Sequence, residues 1–316
     1  MFKTGFVLSG GAARALAHLG VMERLEEAGM KPDMIVGTSM GAIIGGLYCY
    51  YRKASLVHER MKRFLESEIF QKGIVLVSDQ AHATAEQSEG FFQRFITSFR
   101  RGIFYTRSVT RKNLVPYDYY ETGIVELVPE VNIEDLKPRF AAVALDVATG
   151  EEIVFRSGSL RRAVMASAAI PGIFPPVEFG EFVLVDGGWI DNVPVIPAIL
   201  MGAHFVVCSD ASWSIPELWP NPSSAIEMSF RCSDITRILL TELKKQKADV
   251  IIKPKLHGIR WSDFHQIDYC YRAGWNAAEE KLLEAQKRRK ARWLQCFGGL
   301  INRQRRHIKL KDPIFV

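Results

Sequence analysis

The sequence contains no run of about 18 uncharged apolar residues, so no segment reads as a membrane-spanning helix. No secretory leader is evident either. Met1-Phe2-Lys3-Thr4 runs directly into an apolar strand, and a leader would need a basic start, an apolar stretch and a cleavage site. The five cysteines (49, 208, 232, 270 and 296) are scattered, odd in number and without CxxC or metal-ligand spacing. That excludes a disulfide framework and implies reduced thiols in a cytosol. No internal repeat, dinucleotide-loop spacing or Walker lysine is present. What remains is a chain of 316 residues, 48% hydrophobic, enough for a buried core. It reads as a soluble enzyme with one large α/β domain, or such a domain with extensions.

The most informative stretch is Gly37-Thr38-Ser39-Met40-Gly41, preceded by Met34-Ile35-Val36 and followed by Ala42-Ile43-Ile44-Gly45-Gly46-Leu47. This pattern is strand, sharp turn, helix. A serine at such a turn sits on strained backbone with its hydroxyl exposed, and glycines two before and two after remove clashing Cβ atoms. The helix starting at Met40 directs its N-terminal dipole at the serine and favours anionic states there. Ser39 is therefore the candidate nucleophile.

A second glycine turn, Gly10-Gly11-Ala12-Ala13-Arg14, follows the strand at residues 5–9. A helix then runs to about Glu27, with Leu16, Leu19, Met22 and Leu25 on its apolar face. Small residues at this turn leave backbone N–H groups unshielded, able to hold the oxyanion of a tetrahedral intermediate. Two turns of this kind at strand C-termini point to one shared crevice. A serine hydroxyl also needs a base. Phe182-Val183-Leu184-Val185 is a third apolar run, ended by Asp186-Gly187-Gly188, which places a carboxylate at a strand end with close access.

Taken in order, these three motifs resemble the patatin-like phospholipase family, as does Ala166-Ser167-Ala168-Ala169-Ile170-Pro171-Gly172-Ile173-Phe174-Pro175-Pro176 just upstream of the aspartate. The resemblance covers roughly residues 4–210. It implies a three-layer α/β fold with a central, mostly parallel sheet covered by helices. It also implies hydrolysis of lipid acyl esters by a serine–aspartate dyad without histidine, metal or organic cofactor. On this reading Ser39 is the nucleophile and Asp186 the base, and the amides of Gly10, Gly11 and Ala12 form the oxyanion hole. Arg14 matches the family's arginine, which either braces the glycine loop or meets a lipid phosphate; a surface salt bridge is the alternative. The family pattern often has glycine where Ala12 and Ala15 stand. If position 12 requires φ > 0, its alanine costs about 1 kcal/mol.

Rival readings remain. A Ser-Asp-His hydrolase could draw on His204, His257 or His265, although only one strand precedes the one leading to Ser39 and no His-Gly motif lies upstream. A Ser-His acyltransferase could use the same turn. His18, on the first helix, reads as a packed residue. A catalytically silent lipid-binding protein would keep the fold alone.

Elsewhere the pattern predicts helices over about 40–52, 55–70, 160–169 (capped by Ser159), 223–247 and 266–290. A hairpin is expected over 139–155, with further strands at Phe205–Ser209 and Val250–Ile252. Phe91, Phe92, Phe95 and Phe99 mark a core or lid helix. The net charge of +6 resides in one place: residues 287–311 hold ten Lys and Arg and no Asp or Glu, leaving 31 basic against 35 acidic residues elsewhere. Trp293, Leu294, Phe297, Leu300 and Ile301 fall at helical spacing within that stretch. A basic amphipathic helix of this kind suits an anionic membrane surface, and no nucleic-acid fold accompanies it. The expected organisation is a catalytic core over 1–210, an extension over 211–286 and a basic tail over 287–316. The expected substrate is a phospholipid or lysophospholipid, met in the cytoplasm at the inner face of a membrane.

Overall fold

The computed structural model describes residues 1–73, 113–218, 222, 225–297 and 312–316. The aromatic stretch at Phe91–Phe99 lies outside the described residues. Among the described residues nine strands form one sheet, ordered β5-β6-β3-β2-β1-β7-β8, with β4 pairing β3 and β9 pairing β4. The strands β1 (Thr4–Leu8), β2 (Met34–Thr38), β3 (Arg139–Asp146), β7 (Phe205–Ser209) and β8 (Val250–Ile252) run parallel. β4 (Glu152–Phe155) and β6 (Phe182–Asp186) pair antiparallel with β3, and β5 (Val177–Phe179) pairs antiparallel with β6.

Both faces of the sheet are buried, and alternate residues supply them. Phe6, Leu8, Ile35, Phe140, Phe205 and Val207 point into the larger core, while Val7, Met34, Val36, Ala141, Val206 and Cys208 point into the smaller one. Helices α1 (Ala17–Glu27), α2 (Met40–Tyr51), α3 (Ala54–Glu66), α4 (Tyr117–Leu127) and α5 (Leu160–Ser167) contribute to the first core. The short α6 (Val195–Leu200) caps the second. Ser159 accepts from Arg162 N–H at the start of α5, as the sequence predicts.

The extension beyond residue 210 completes the same body. It comprises α7 (Ala225–Lys245), strand β8 and α8 (Ile267–Phe297). α8 crosses α1 with backbones in contact: a Cβ on Gly20 would strike the Tyr271 carbonyl, and one on Gly274 the Ala17 carbonyl. The boundary expected at residue 287 falls inside α8, which continues unbroken to Phe297. At the far C-terminus, β9 (Ile314–Phe315) pairs with β4. The final residues therefore belong to the sheet.

One feature of the topology builds the site. β2 pairs with β3 up to Thr38↔Val143, and β6, running the opposite way, pairs with β3 from Ala144↔Asp186. β4 occupies the other side of β3 over the same residues. So β2 and β6 meet end to end along one edge of β3. The turn leaving β2 and the last residue of β6 are thereby brought together.

Candidate active site

Ser39 has φ 56° and ψ −129°, a conformation that side-chain-bearing residues rarely adopt. It is held there from both sides. Its N–H donates to Ser167 Oγ (2.9 Å), whose own hydroxyl donates to Val143 O (2.6 Å). Gly37 and Gly41 are required by space, since a Cβ on either would collide with backbone carbonyls, of Gly41 and of Ser9 respectively. The strained turn aims the hydroxyl at Asp186: Ser39 Oγ donates to Asp186 Oδ2 at 2.5 Å. Gly188 N–H donates to the other carboxylate oxygen at 2.7 Å.

Asp186 is 5% exposed. Burial raises its pKa to about 6, opposed by the Ser39 and Gly188 hydrogen bonds and by the charge of Arg237. A carboxylate near neutrality, hydrogen-bonded to a serine, can accept its proton when the serine attacks an acyl carbon.

The glycine loop lies alongside. Gly10 is boxed in: a Cβ there would sit 2.5 Å from Asn192 Oδ1 and 3.2 Å from Ser39 Cβ. Its N–H, expected to serve the oxyanion hole, donates to Asn192 O (3.1 Å). Gly11 and Ala12 remain. Among the described residues nothing is recorded accepting from either amide, because both stand at the start of the 3-10 turn Ala12–Leu16. Ala12 has φ 47°, the strained case anticipated for an alanine in this position.

Arg14 is 1% exposed and points away from solvent. Nε donates to Ala211 O (3.0 Å), Nη1 to Leu256 O (2.9 Å) and Ile259 O (3.1 Å), and Nη2 to Glu217 (3.1 Å). Trp213 covers its face at 4.3 Å. Of the three roles expected for it, this geometry fits the brace; the ion pair with Glu217 exists but is not at the surface.

The histidines are placed elsewhere. His18 is buried between Ser9 O (2.9 Å from Nε2) and Ser209 Oγ (2.7 Å from Nδ1), and burial lowers its pKa to about 4. The Ser9 carbonyl can only accept, so Nε2 carries the proton and the ring is neutral. His204 precedes β7 beside Lys3, at the opposite end of the parallel strands from Ser39. His257 and His265 are exposed.

Residues not predicted from sequence complete the surroundings. The loop after Asp186 is tied to the nucleophile's strand, as Thr38 Oγ1 donates to Asp191 O (2.8 Å). Lys244, buried at the end of α7, lies 2.8 Å from Glu152 and 3.0 Å from Asp191, and Lys245 lies 2.7 Å from Asp210. Adjacent lysines at a helix end signal nothing in a sequence; only the fold shows that both are pointed inward at the loops flanking the site. Asn192 does leave a sequence signal, as the second of two polar residues, Asp191 and Asn192, five and six positions after Asp186.

Fold and site together define a class: a three-layer α/β protein in which a serine on a strand-to-helix turn is paired with a carboxylate in place of a histidine. The patatin-like phospholipase family model matches residues 6–199, more than half of the chain, and the chain belongs to that family. It is 25% identical over 332 aligned positions to lysophospholipase NTE1 of Debaryomyces hansenii, covering 96% of this chain and 19% of that protein. With lysophospholipase NTE1 of Mycosarcoma maydis it shares 29% identity over 307 positions, covering 88% of this chain and 14% of that protein. The chain thus spans less than a fifth of the length of either relative. Among solved structures, VipD from Legionella pneumophila matches with TM-score 0.46 and 14% identity, covering 90% of this chain and 67% of that one.

Proposed function

We propose that the chain is a lipid acyl hydrolase of the phospholipase A or lysophospholipase kind, working through an acyl-enzyme on Ser39. The observation that carries this reading is the 2.5 Å hydrogen bond from Ser39 Oγ to the buried Asp186 carboxylate. Asp186 takes the serine proton as Oγ attacks the ester carbonyl. The amides of Gly11 and Ala12 stabilise the oxyanion, aided by the N-terminus of α2. Asp186 then returns the proton to the leaving alcohol, and in the second half-reaction activates the water that releases the fatty acid. Arg14 braces the oxyanion loop against the segments at Ala211 and Leu256. The required groups are all side chains and amides of this chain.

Lipid access is proposed to run through the C-terminal end of α8. Trp293, Leu294 and Phe297 are exposed there, with Lys287, Arg289 and Lys290 on the preceding turns. Among the described residues no helix is long and apolar enough to cross a membrane. This arrangement of charge and apolar side chains supports the reading that the chain sits peripherally on an anionic cytoplasmic surface.

The test of the chemistry is release of free fatty acid from a lysophospholipid by the purified chain. The native protein is expected to release it and Ser39→Ala to lose the activity by several orders of magnitude. Equal turnover by the two would reject the reading. No turnover by either would favour a silent lipid-binding protein.

A further inference from the structure

The base of the proposed dyad is an anion, and so is the phosphate of a phospholipid head group. Bringing a phosphate to the mouth of this site places like charges together in a poorly hydrated space, where their repulsion is large. A neutral ester meets no such barrier. The residue first expected to answer it, Arg14, is fully engaged inside the protein and cannot reach a ligand.

Arg237, on α7, is differently placed. Its guanidinium lies 5.6 Å from the ring centre of Trp189, three residues after Asp186. Its positive charge helps to lower the Asp186 pKa against the effect of burial. Its side chain is 29% exposed. Nη2 donates to Asp234 at 3.1 Å. Among the described residues Nε is buried with no acceptor. A guanidinium packed on the loop that follows Asp186, with a buried donor to spare, is unusual, because buried donors are nearly always paired. Asp234 offsets part of its charge but occupies only one of the guanidinium nitrogens. The planar fork suits a phosphate better than a point charge would.

We propose that Arg237 is a specificity residue that binds the phosphate of a glycerophospholipid head group and so selects phosphate-bearing esters over neutral ones. This rests on the acyl-hydrolase reading above. α7 lies beyond residues 6–199, the region that matches the family model.

The experiment compares kcat/KM for two monomeric short-chain esters with the same acyl chain, a lysophosphatidylcholine and a monoacylglycerol. Native protein, Arg237→Gln and Arg237→Lys are measured at pH 8.5, where Asp186 is ionised in all three. The ratio of the two constants, phosphate-bearing over neutral, is expected to fall about tenfold or more in Arg237→Gln, as loss of a charge-assisted hydrogen bond would cause. The change should lie mainly in KM, and Arg237→Lys should recover part of it. An unchanged ratio, whether both constants fall together or neither moves, overturns the proposal and leaves Arg237 acting on Asp186 alone. If native protein hydrolyses neither ester, the acyl-hydrolase reading itself has failed. Thermal melting of the variants shows whether each is folded; should Arg237→Gln not fold, the ratio in Arg237→Lys decides, with a fall of several-fold expected.

Discussion

Ser39 and Asp186 depend on each other in opposite senses of stability and function. The Asp186 pKa is about 6 in the folded chain because the carboxylate is buried. In an unfolded chain it would lie near 3.9. Below both values the two states are equally protonated. Between them the folded state keeps a proton that the unfolded state has released, so this group's effect on stability declines as pH rises. Above about 6 the penalty is complete, on the order of 3 kcal/mol. The same ionisation creates the base. Two outcomes follow. Turnover of a soluble short-chain ester should rise with pH through about 6 and then level. Asp186→Asn should lower kcat by several orders of magnitude while raising the melting temperature at pH 8. His204→Ala, His257→Ala and His265→Ala should each keep most of the activity. A profile still rising through 6 in Asp186→Asn, or an inactive but folded histidine variant, would place the base elsewhere.

At the scale of elements, both glycine turns, the Ser159 cap and most strands were legible in the sequence, because each rests on local chemistry. Gly37, Gly41 and the apolar run before Ser39 specify a turn that only small residues can form. Ser159 marks a helix start by its own hydroxyl. The end-to-end meeting of β2 and β6 was not legible. It depends on β6 running antiparallel to β3, and antiparallel pairing leaves no mark in Phe182–Asp186 itself. Gly10 shows the same limit. Its motif suggests a free amide, yet whether that amide is free is decided by Asn192, 182 positions away. Arg14 likewise reads as one residue among several charges, until Ala211, Leu256, Ile259 and Glu217 close around it. What a neighbouring residue dictates can be read along the chain; what a distant segment supplies cannot.

For the whole molecule, charge and fold are distributed differently. The basic stretch from residue 287 begins inside α8, and parts of it hold the body together: Arg288 donates to Asp249 O (2.9 Å) and Arg292 to His204 O (3.2 Å). Cutting the chain after Gln286 would remove these contacts together with β9, so truncation tests folding as much as membrane binding. Substituting charges that make none of these contacts separates the two. The combined change Lys287→Gln, Arg289→Gln and Lys290→Gln is expected to weaken binding to anionic vesicles by roughly two orders of magnitude at about 1 kcal/mol per charge, with native melting and native turnover of a soluble ester. Raised salt should release the unaltered protein. Vesicle binding that survives the triple change would move the membrane-facing surface to another part of the molecule.

All of this converges on one serine, and its reactivity can be measured without knowing the lipid. A fluorophosphonate probe reacts with serines activated by a base, and the modified residue can be located by mass spectrometry of the digested protein. The account predicts a stoichiometric adduct on the peptide that carries Ser39, much slower labelling in Asp186→Asn and none in Ser39→Ala. An adduct on a different serine, or labelling of Ser39→Ala at the native rate, would contradict it.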